Sequence, residues 1–458
     1  MASADVVIIG GGITGLTAAY EAHRRGVRPI VLEASPRTGG LIATEHVDGF
    51  TIEAGPDSIL AQKRAALDLV RELGLGDQIL QVRPPGGAFV LSGSRLFRLP
   101  SPSRLGLPLT WRALAGYNLL PWPARVRMAM EPLVRARRSQ DDESIGSFFR
   151  RRFGASTVDL IAQPLLGGIH AGDIERLSMR ALFPRLLDAE QSRGRVLEMR
   201  GADAADPQQP PADVGFRSLR DGMSALVRAI EQHLPETSIR RSSPADRLER
   251  TASGWRVASG GDAFEARAVI VAAPAFVAAR LFAPLDDEAS RLCAEVPYVS
   301  TASVALAWPR PAIAHPLAGT GFVVARRVSD VRITACTWVS SKWTHRAPDD
   351  VALLRAFIGG AHDPGVVDLD DEEIARIART DLQRVLGIGA APVLTRVYRW
   401  RNAGAQHQVG QLARVAAIEG RLARHPGLLV AGSGFRSVGI PDCIADARAA
   451  AARCTIAG

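Results

Sequence analysis

The residues best placed to do chemistry are glycines. Gly10-Gly11-Gly12-Ile13-Thr14-Gly15 satisfies G-x-G-x-x-G. In that pattern Gly10 permits a tight turn, Gly12 lets a pyrophosphate approach the backbone, and Gly15 allows close helix–strand packing. A helix opening there turns free N–H groups and the positive end of its dipole toward a diphosphate. Glu33 lies 18 residues after Gly15, where a carboxylate can accept hydrogen bonds from ribose hydroxyls. The elements needed to hold these groups occur in order. Ala4 to Ile9 reads as a buried parallel strand, Leu16 to Arg25 as a helix stopped by Gly26, and Val27 to Leu32 as a second strand ending on Glu33. A glycine motif alone is weak; in this context it points to a dinucleotide.

The next stretch separates flavin from nicotinamide. Glu33-Ala34-Ser35-Pro36-Arg37-Thr38-Gly39-Gly40 extends the acid into an Arg-x-Gly-Gly turn. The turn offers a cation and open backbone amides to further phosphate or to flavin. This pattern is more specific than the glycine motif, and it resembles the extended fingerprint of the FAD-dependent amine oxidase and protoporphyrinogen oxidase superfamily.

No other constellation competes with it. The sequence has no Ser/His/Asp motif, no HExxH and no paired-carboxylate spacing. Its four cysteines (Cys293, Cys336, Cys443, Cys454) show no CxxC spacing, so neither a zinc site nor a disulfide framework is expected, and a reducing compartment is. The nine histidines are scattered, and no metal is assigned. His170, in a glycine-rich loop, is the one candidate base, although a lone histidine is more often structural. Asp57 reads as orienting backbone rather than abstracting a proton. No catalytic side chain is assigned, because a flavin takes a hydride itself and leaves the protein to bind and orient the substrate.

The supporting elements follow along the chain. Phe50 to Ser58 is a strand delivering a Gly55-Pro56 turn, and Lys63 to Leu73 is a helix. Ala88 to Leu99 is a hairpin about Ser92-Gly93-Ser94, and Arg104 to Ile169 carries a helical signal with several loops. Ala202 to Asp213 is a proline-rich linker. Gly222 to Leu234 is a helix, and Trp255 to Val271 reads as strands. Val299 to Trp308, Gly321 to Val328 and Val331 to Val339 read as strands of an antiparallel sheet. Asp371 to Leu386 is a helix, and Leu428 to Ala431 is a short strand entering Gly432-Ser433-Gly434. Pro441 to Arg453 closes with a helix. That second glycine turn implies a discontinuous cofactor domain; a terminal packing helix is the plainer alternative.

The chain has 458 residues, 47% hydrophobic and 22% charged, enough for two to four domains and a sizeable core. This composition excludes a disordered, collagen-like or disulfide-scaffold protein. No uncharged run reaches the roughly 18 residues of a spanning helix. The opening MASADVVIIGGG has an acid and no basic stretch, so it is not read as a signal peptide. Net charge is +9, almost all arginine, since only Lys63 and Lys342 are lysines. Arginine-rich codon usage accounts for the charge better than a nucleic-acid partner. Ser101 to Ser139 is the exception in pattern. Arg104, Arg112, Arg125, Arg127, Arg135, Arg137 and Arg138 face one acid, Glu131, with Trp111, Tyr117 and Trp122 interleaved. Cations with aromatics suit an anionic bilayer surface. A solvated basic helical subdomain and a nucleic-acid site use the same ingredients.

Five further blocks, in order along the chain, resemble the HemY-type protoporphyrinogen/coproporphyrinogen oxidases. They are Ile52 to Ser58, Gln163 to Asp173 with Leu177-Ser178, Phe216 to Met223, Ala335 to Trp338 with Lys342-Trp343, and Gly439 to Ile444. The resemblance implies an α/β fold with a discontinuous Rossmann-like FAD-binding domain (1–84, 206–275, 425–458). It also implies a mixed-sheet substrate domain (85–94, 276–424) and a helical membrane-associated domain (95–205). It implies six-electron oxidation of a porphyrinogen, with oxygen reoxidising the flavin, in haem biosynthesis on the cytoplasmic face of the membrane. Carried over by position, FAD contacts are Gly10 to Gly15, Glu33, Ala34, Arg37, Gly40, Leu41, Gly55, Pro56, Asp57 and Ser58. Ala245 falls by the adenine, and Ser433, Val438, Gly439 and Ile440 close the site. Gly168, Ile169, Gly321 and Val323 match positions lining the porphyrinogen pocket.

The sequence departs from the family at Ala88, where many members carry a polar or basic residue toward a substrate propionate. Ala405 and His407 replace a usual Pro and Tyr, and Ala447 a common glycine. Without a cation at Ala88, protoporphyrinogen IX ranks first as substrate and coproporphyrinogen III second. An amine oxidase or carotenoid desaturase shares the framework, and an aromatic cage of Trp338, Trp343 or Trp400 would favour the former. A flavin-binding protein without turnover is the non-enzymatic alternative, and a homodimer is compatible with the sequence.

Overall fold

The computed structural model describes residues 2–139, 141–199, 215–325, 330–436 and 438–456. The expected linker Ala202 to Asp213 lies outside them, as does the end of the strand expected over Gly321 to Val328.

Val6–Ile9 is apolar and buried throughout, as a strand covered on both faces must be. It pairs in parallel with Pro29–Leu32 on one side and Ala268–Val271 on the other. Ile239–Arg240 and Leu428–Val430 extend this into a five-stranded parallel sheet. Its strands come from stretches far apart in the chain. On one face the helices Ile13–Arg24 and Ile440–Ile456 pack together. Ala18, Ala19 and Ala22 of the first and Ala447 of the second are fully buried there. Alanine at 447 is therefore small enough for this close approach.

The second sheet has seven strands, in the order Leu394–Ala405, Tyr298–Pro309, Val351–Gly359, Ala335–Trp338, Gly321–Val324, Phe89–Ser92 and Arg95–Arg98. All neighbours are antiparallel except Gly321–Val324 with Phe89–Ser92, which run parallel. Asp371–Leu386 covers one face through Ile374, Ala378 and Leu382. Asp370 caps that helix by accepting from the Glu373 N–H, and left-handed Gly387 ends it.

A helical region packs near the other face, built on Trp111–Ala115, Trp122–Ala129, Ile145–Phe153, Val158–Gly167 and Pro184–Arg193 around Phe148, Phe149 and Phe153. It opens with a small hairpin, Ser103–Arg104 against Leu107–Pro108, where helix was expected. Gly106, at φ +78°, makes that turn. Val158–Gly167 is wound as a π-helix containing Pro164, which has no N–H to give and crowds the carbonyl one turn back. Among the described residues no helix is long and apolar enough to cross a membrane.

Candidate functional site

The glycine turn lies at the carboxyl ends of the parallel strands. A Cβ on Gly15 would sit 1.8 Å from the Gly10 carbonyl oxygen, and one on Gly10 2.9 Å from that of Ala272. A Cβ on Gly12 meets only the Gly40 Cα, at 3.9 Å. Gly12 thus faces open space while Gly10 and Gly15 face backbone. No side chain caps the first turn of Ile13–Arg24, so its leading amides are left for an anion. Glu33 accepts from the N–H groups of Gly11 (2.6 Å) and Ser35 (2.8 Å), one on each carboxylate oxygen. Each oxygen keeps a lone pair for a hydroxyl.

The turn after Glu33 folds back on this cradle. Gly39 donates its N–H to the Gly11 carbonyl at 2.8 Å. Arg37 is not a free cation. Its guanidinium donates to the carbonyls of Thr38, Ile42 and Gly40 and lies 5.9 Å from the Trp400 ring centroid. It braces the turn, because a fork of N–H donors satisfies several loop carbonyls at once. Ala34 is exposed beside it. Ser242 and Ser243 donate to the carbonyls of Ser35 and Glu33, which brings half-buried Ala245 to the same edge. The C-terminal turn arrives from the opposite side, where a Cβ on Gly432 would lie 2.9 Å from Thr14 Oγ1. Ser433 follows it, and Val438 and Gly439 lead into the helix beginning at Ile440. Lys63 pairs with Asp442 at 2.6 Å, tying the two halves of the site at the surface.

Gly55 and Pro56 belong to a turn pressed against the preceding one. A Cβ on Gly55 would lie 1.8 Å from the Leu41 carbonyl oxygen. Asp57 is buried and accepts from Lys342 Nζ (2.8 Å), Trp343 Nε1 (3.2 Å) and Ser58 Oγ (2.9 Å). Burial raises its carboxyl, but Lys342 and Arg355 outweigh that and hold it well below the usual range. Asp57 is thus an ion-pair anchor. Glu53 is the opposite case. Burial raises its carboxyl despite Arg346 nearby and the Met223 N–H that it accepts at 2.7 Å. Arg346 and Arg355, both buried, were missed by the sequence reading. The available signal was a charge inside the apolar run Val351-Ala352-Leu353-Leu354-Arg355-Ala356-Phe357-Ile358, since a buried arginine requires partners.

The residues matched to the substrate pocket fall in two groups. Ala88 immediately precedes the strand Phe89–Ser92, which pairs with the strand that Gly321 opens, and Thr320 donates to the Gly87 carbonyl through both N–H and Oγ1. Gly321 has φ +136°, and a Cβ there would lie 2.1 Å from the Cys336 carbonyl oxygen. Val323 and Val90 pack into the helical region's apolar cluster with Phe97 and Leu99. Arg98 pairs with Phe89 and lies over its ring, on the opposite face from Val90. Arg98 also donates to the Gly86 carbonyl at 3.1 Å, and Arg95, on the Val90 face, lies over the Phe97 ring, so both cations of the hairpin are engaged within it. Gly168 and Ile169 follow the π-helix, whose Leu165 and Leu166 enter the same cluster as Val323. Ile169 is 66% exposed.

His170 ends this loop with its carbonyl accepting from Gln406 Nε2 at 2.9 Å and its ring edge-on to Phe183. Burial, with His407 and Lys63 nearby, pushes its imidazole down to about 4, so it is neutral near pH 7. His407, 2% exposed, makes a 2.9 Å contact from Nε2 to the Ser433 carbonyl. The three tryptophans do not share a cage. Trp338 lies in the core with Phe89 and Phe322, and Trp343 binds Asp57. Trp400 donates its N–H to the Ala54 carbonyl at 2.9 Å.

The arrangement fits a flavin dinucleotide in three respects: open space at Gly12, an uncapped helix start, and a braced acid at Glu33. Exposed Leu41 and Val438 beside the turns add apolar surface that an aromatic ring system can cover.

Comparison with known proteins agrees. Residues 13–455 match the family of flavin containing amine oxidoreductases. The chain is 37% identical to the coproporphyrinogen III oxidase of Bacillus subtilis (strain 168), over 97% of this chain and 96% of that one. It is 29% identical to the chloroplastic protoporphyrinogen oxidase 1 of Spinacia oleracea, over 98% and 83%. Among solved structures it superposes on a putative protoporphyrinogen oxidase from Exiguobacterium sp. 255-15 with a TM-score of 0.87 and 32% identity, covering 100% and 99% of the two chains. An FAD-dependent oxidoreductase, the chain belongs to the flavin containing amine oxidoreductases and, within them, to the HemY-type porphyrinogen oxidases.

Proposed function

We propose that this enzyme oxidises a porphyrinogen macrocycle to the porphyrin, with oxygen as final acceptor. The observation that carries the reading is the meeting of three glycine-lined turns with an apolar wall. Bound FAD supplies the two-electron acceptor, and the chain binds, orients and excludes water. In this reading Gly10 to Gly15 hold the pyrophosphate, Glu33 the ribose and Ala245 the adenine. Ala34, Arg37, Gly40 and Leu41 shape the second turn, with Arg37 acting through the carbonyls it braces. Gly55 to Ser58 face the flavin, and Ser433, Val438, Gly439 and Ile440 close the site. The macrocycle lies between Gly168–Ile169 and Ala88, Gly321 and Val323.

Two substrates differ only in two side chains, propionates in coproporphyrinogen III and vinyls in protoporphyrinogen IX. The B. subtilis relative, more similar than the spinach one, is named for the first, and we place coproporphyrinogen III ahead. The apolar wall at Ala88 is the specific observation favouring protoporphyrinogen IX. Rates of porphyrin fluorescence with each substrate decide. A kcat/KM at least tenfold higher for coproporphyrinogen III is expected; the reverse order moves the enzyme to the protoporphyrin branch, and no porphyrin from either refutes the reading.

We further propose peripheral attachment to the cytoplasmic face of a membrane. Trp111, Trp122 and Leu133 are 56, 73 and 80% exposed, among exposed Arg104, Arg112, Arg135 and Arg138. Arg125 and Arg127 instead donate to main-chain carbonyls of the helical region, and Arg137 pairs with Glu143. Four of the seven cations are thus exposed in the same region of the chain as these apolar side chains, a combination suited to anionic headgroups.

A further inference from the structure

The carbonyls of the turn at Glu53–Ser58 are held from outside. Arg355 Nη1 donates to the carbonyls of Glu53 (2.6 Å) and Gly55 (2.7 Å). Ser303 Oγ (3.0 Å) and Trp400 Nε1 (2.9 Å) both donate to that of Ala54. Ser218 Oγ donates to that of Asp57 at 2.7 Å. Arg355, Ser303 and Trp400 stand on three neighbouring strands of the seven-stranded sheet. Their register puts them on one face: Trp400 is opposite Thr301 and Arg355 opposite Ala305, flanking Ser303.

A planar trans peptide points its C=O and N–H in opposite directions. Fixing the Ala54 carbonyl therefore fixes the Gly55 N–H, and fixing the Asp57 carbonyl fixes the Ser58 N–H. Among the described residues neither N–H donates to any group. The sheet at Ala54 and, separately, Ser218 on Phe216–Leu219 at Asp57 thus hold the carbonyl side of the turn, leaving two N–H donors aimed away from the groups that hold it.

We propose that Ser303, Trp400, Arg355 and Ser218 are positioning residues that hold the Gly55 and Ser58 N–H groups as fixed donors toward the bound flavin. The inference rests on the reading that this turn meets FAD. Preorganised donors stabilise charge that develops during reaction, and reduction adds negative charge to the flavin. Loosening the clamp therefore shifts the bound flavin toward its oxidised form.

The test is the reduction equilibrium of the holoenzyme's flavin against a reference dye, which requires no porphyrinogen. In S303A/W400F the Ala54 carbonyl loses both donors. The double variant is expected to keep FAD, to show an altered visible flavin band, and to shift the equilibrium about tenfold toward oxidised flavin, or about 30 mV for a two-electron couple. L382A, in the core of Asp371–Leu386 and remote from the turn, serves as the structural control and leaves band and equilibrium unchanged. S218A reads the same effect at Ser58 should the double variant fail to fold. A folded, FAD-bound S303A/W400F or S218A with wild-type band and equilibrium overturns the proposal. Failure of the wild type to be reduced by any porphyrinogen overturns the functional reading instead.

Discussion

Gly12 and Gly15 are separated by only three positions, yet they answer to different constraints. A side chain at Gly15 strikes the Gly10 carbonyl, whereas one at Gly12 enters open space. Gly15→Val is therefore expected to destabilise the fold itself. Gly12→Val should fold with a melting temperature near that of wild-type apoprotein while losing at least tenfold in FAD affinity. A Gly12→Val protein that purifies fully yellow would contradict the pyrophosphate assignment. His170 makes a second prediction. Its imidazole is held near 4 against an ordinary 6.5, so the unfolded chain takes up a proton that the folded chain refuses. Stability should fall as pH drops from about 6.5 toward about 4 and level off below. His170→Phe should lose less stability over that window, read from urea midpoints at pH 7.5 and 5. His407 shifts in the same direction and Glu53 upward, so the variant must be compared with wild type at each pH. Parallel curves would remove His170 from the account. At this scale glycines and Glu33 were legible because their spacing encodes backbone geometry. The hydrogen-bond partners of Arg37 and Arg355 were not, because they are main-chain carbonyls, which every residue carries.

Elements with strong local signals were read closely. The helix read over Asp371 to Leu386 has those bounds in the structure, with its cap at Asp370 and its stop at Gly387. The π-winding of Val158–Gly167 escaped, although Pro164 marks the place. The parallel pairing of Gly321–Val324 with Phe89–Ser92 joins segments more than two hundred residues apart, beyond any local pattern. The helical region carries the element-scale prediction. The segment that carries Leu133 is anchored by Glu131, fully buried, which pairs with Arg152 and accepts from the N–H groups of Val196 and Leu197. Breaking such a pair costs about 3–5 kcal/mol, so membrane contact is better tested at the surface. W122S/L133S should keep the fold and lose at least tenfold in co-sedimentation with phosphatidylglycerol vesicles at low salt. Unchanged binding, or none by wild type, would leave the region a solvated subdomain.

In the whole molecule, the two sheets meet at the turns proposed to hold the flavin. The five-stranded sheet supplies the glycine cradle, and the seven-stranded sheet supplies Arg355, Ser303 and Trp400 of the clamp on Glu53–Ser58 together with the wall at Gly321. The sequence announced the first sheet through its motif. It showed the second only as disconnected strands, whose order depends on long-range register. The central claim is that electrons pass from a porphyrinogen to this chain's flavin. Anaerobic mixing of the holoenzyme with each porphyrinogen, followed at the visible flavin band, tests it without reference to the acceptor. Bleaching by coproporphyrinogen III, at least tenfold faster than by protoporphyrinogen IX, is the expected result. A protein that holds FAD and is bleached by neither would contradict the account.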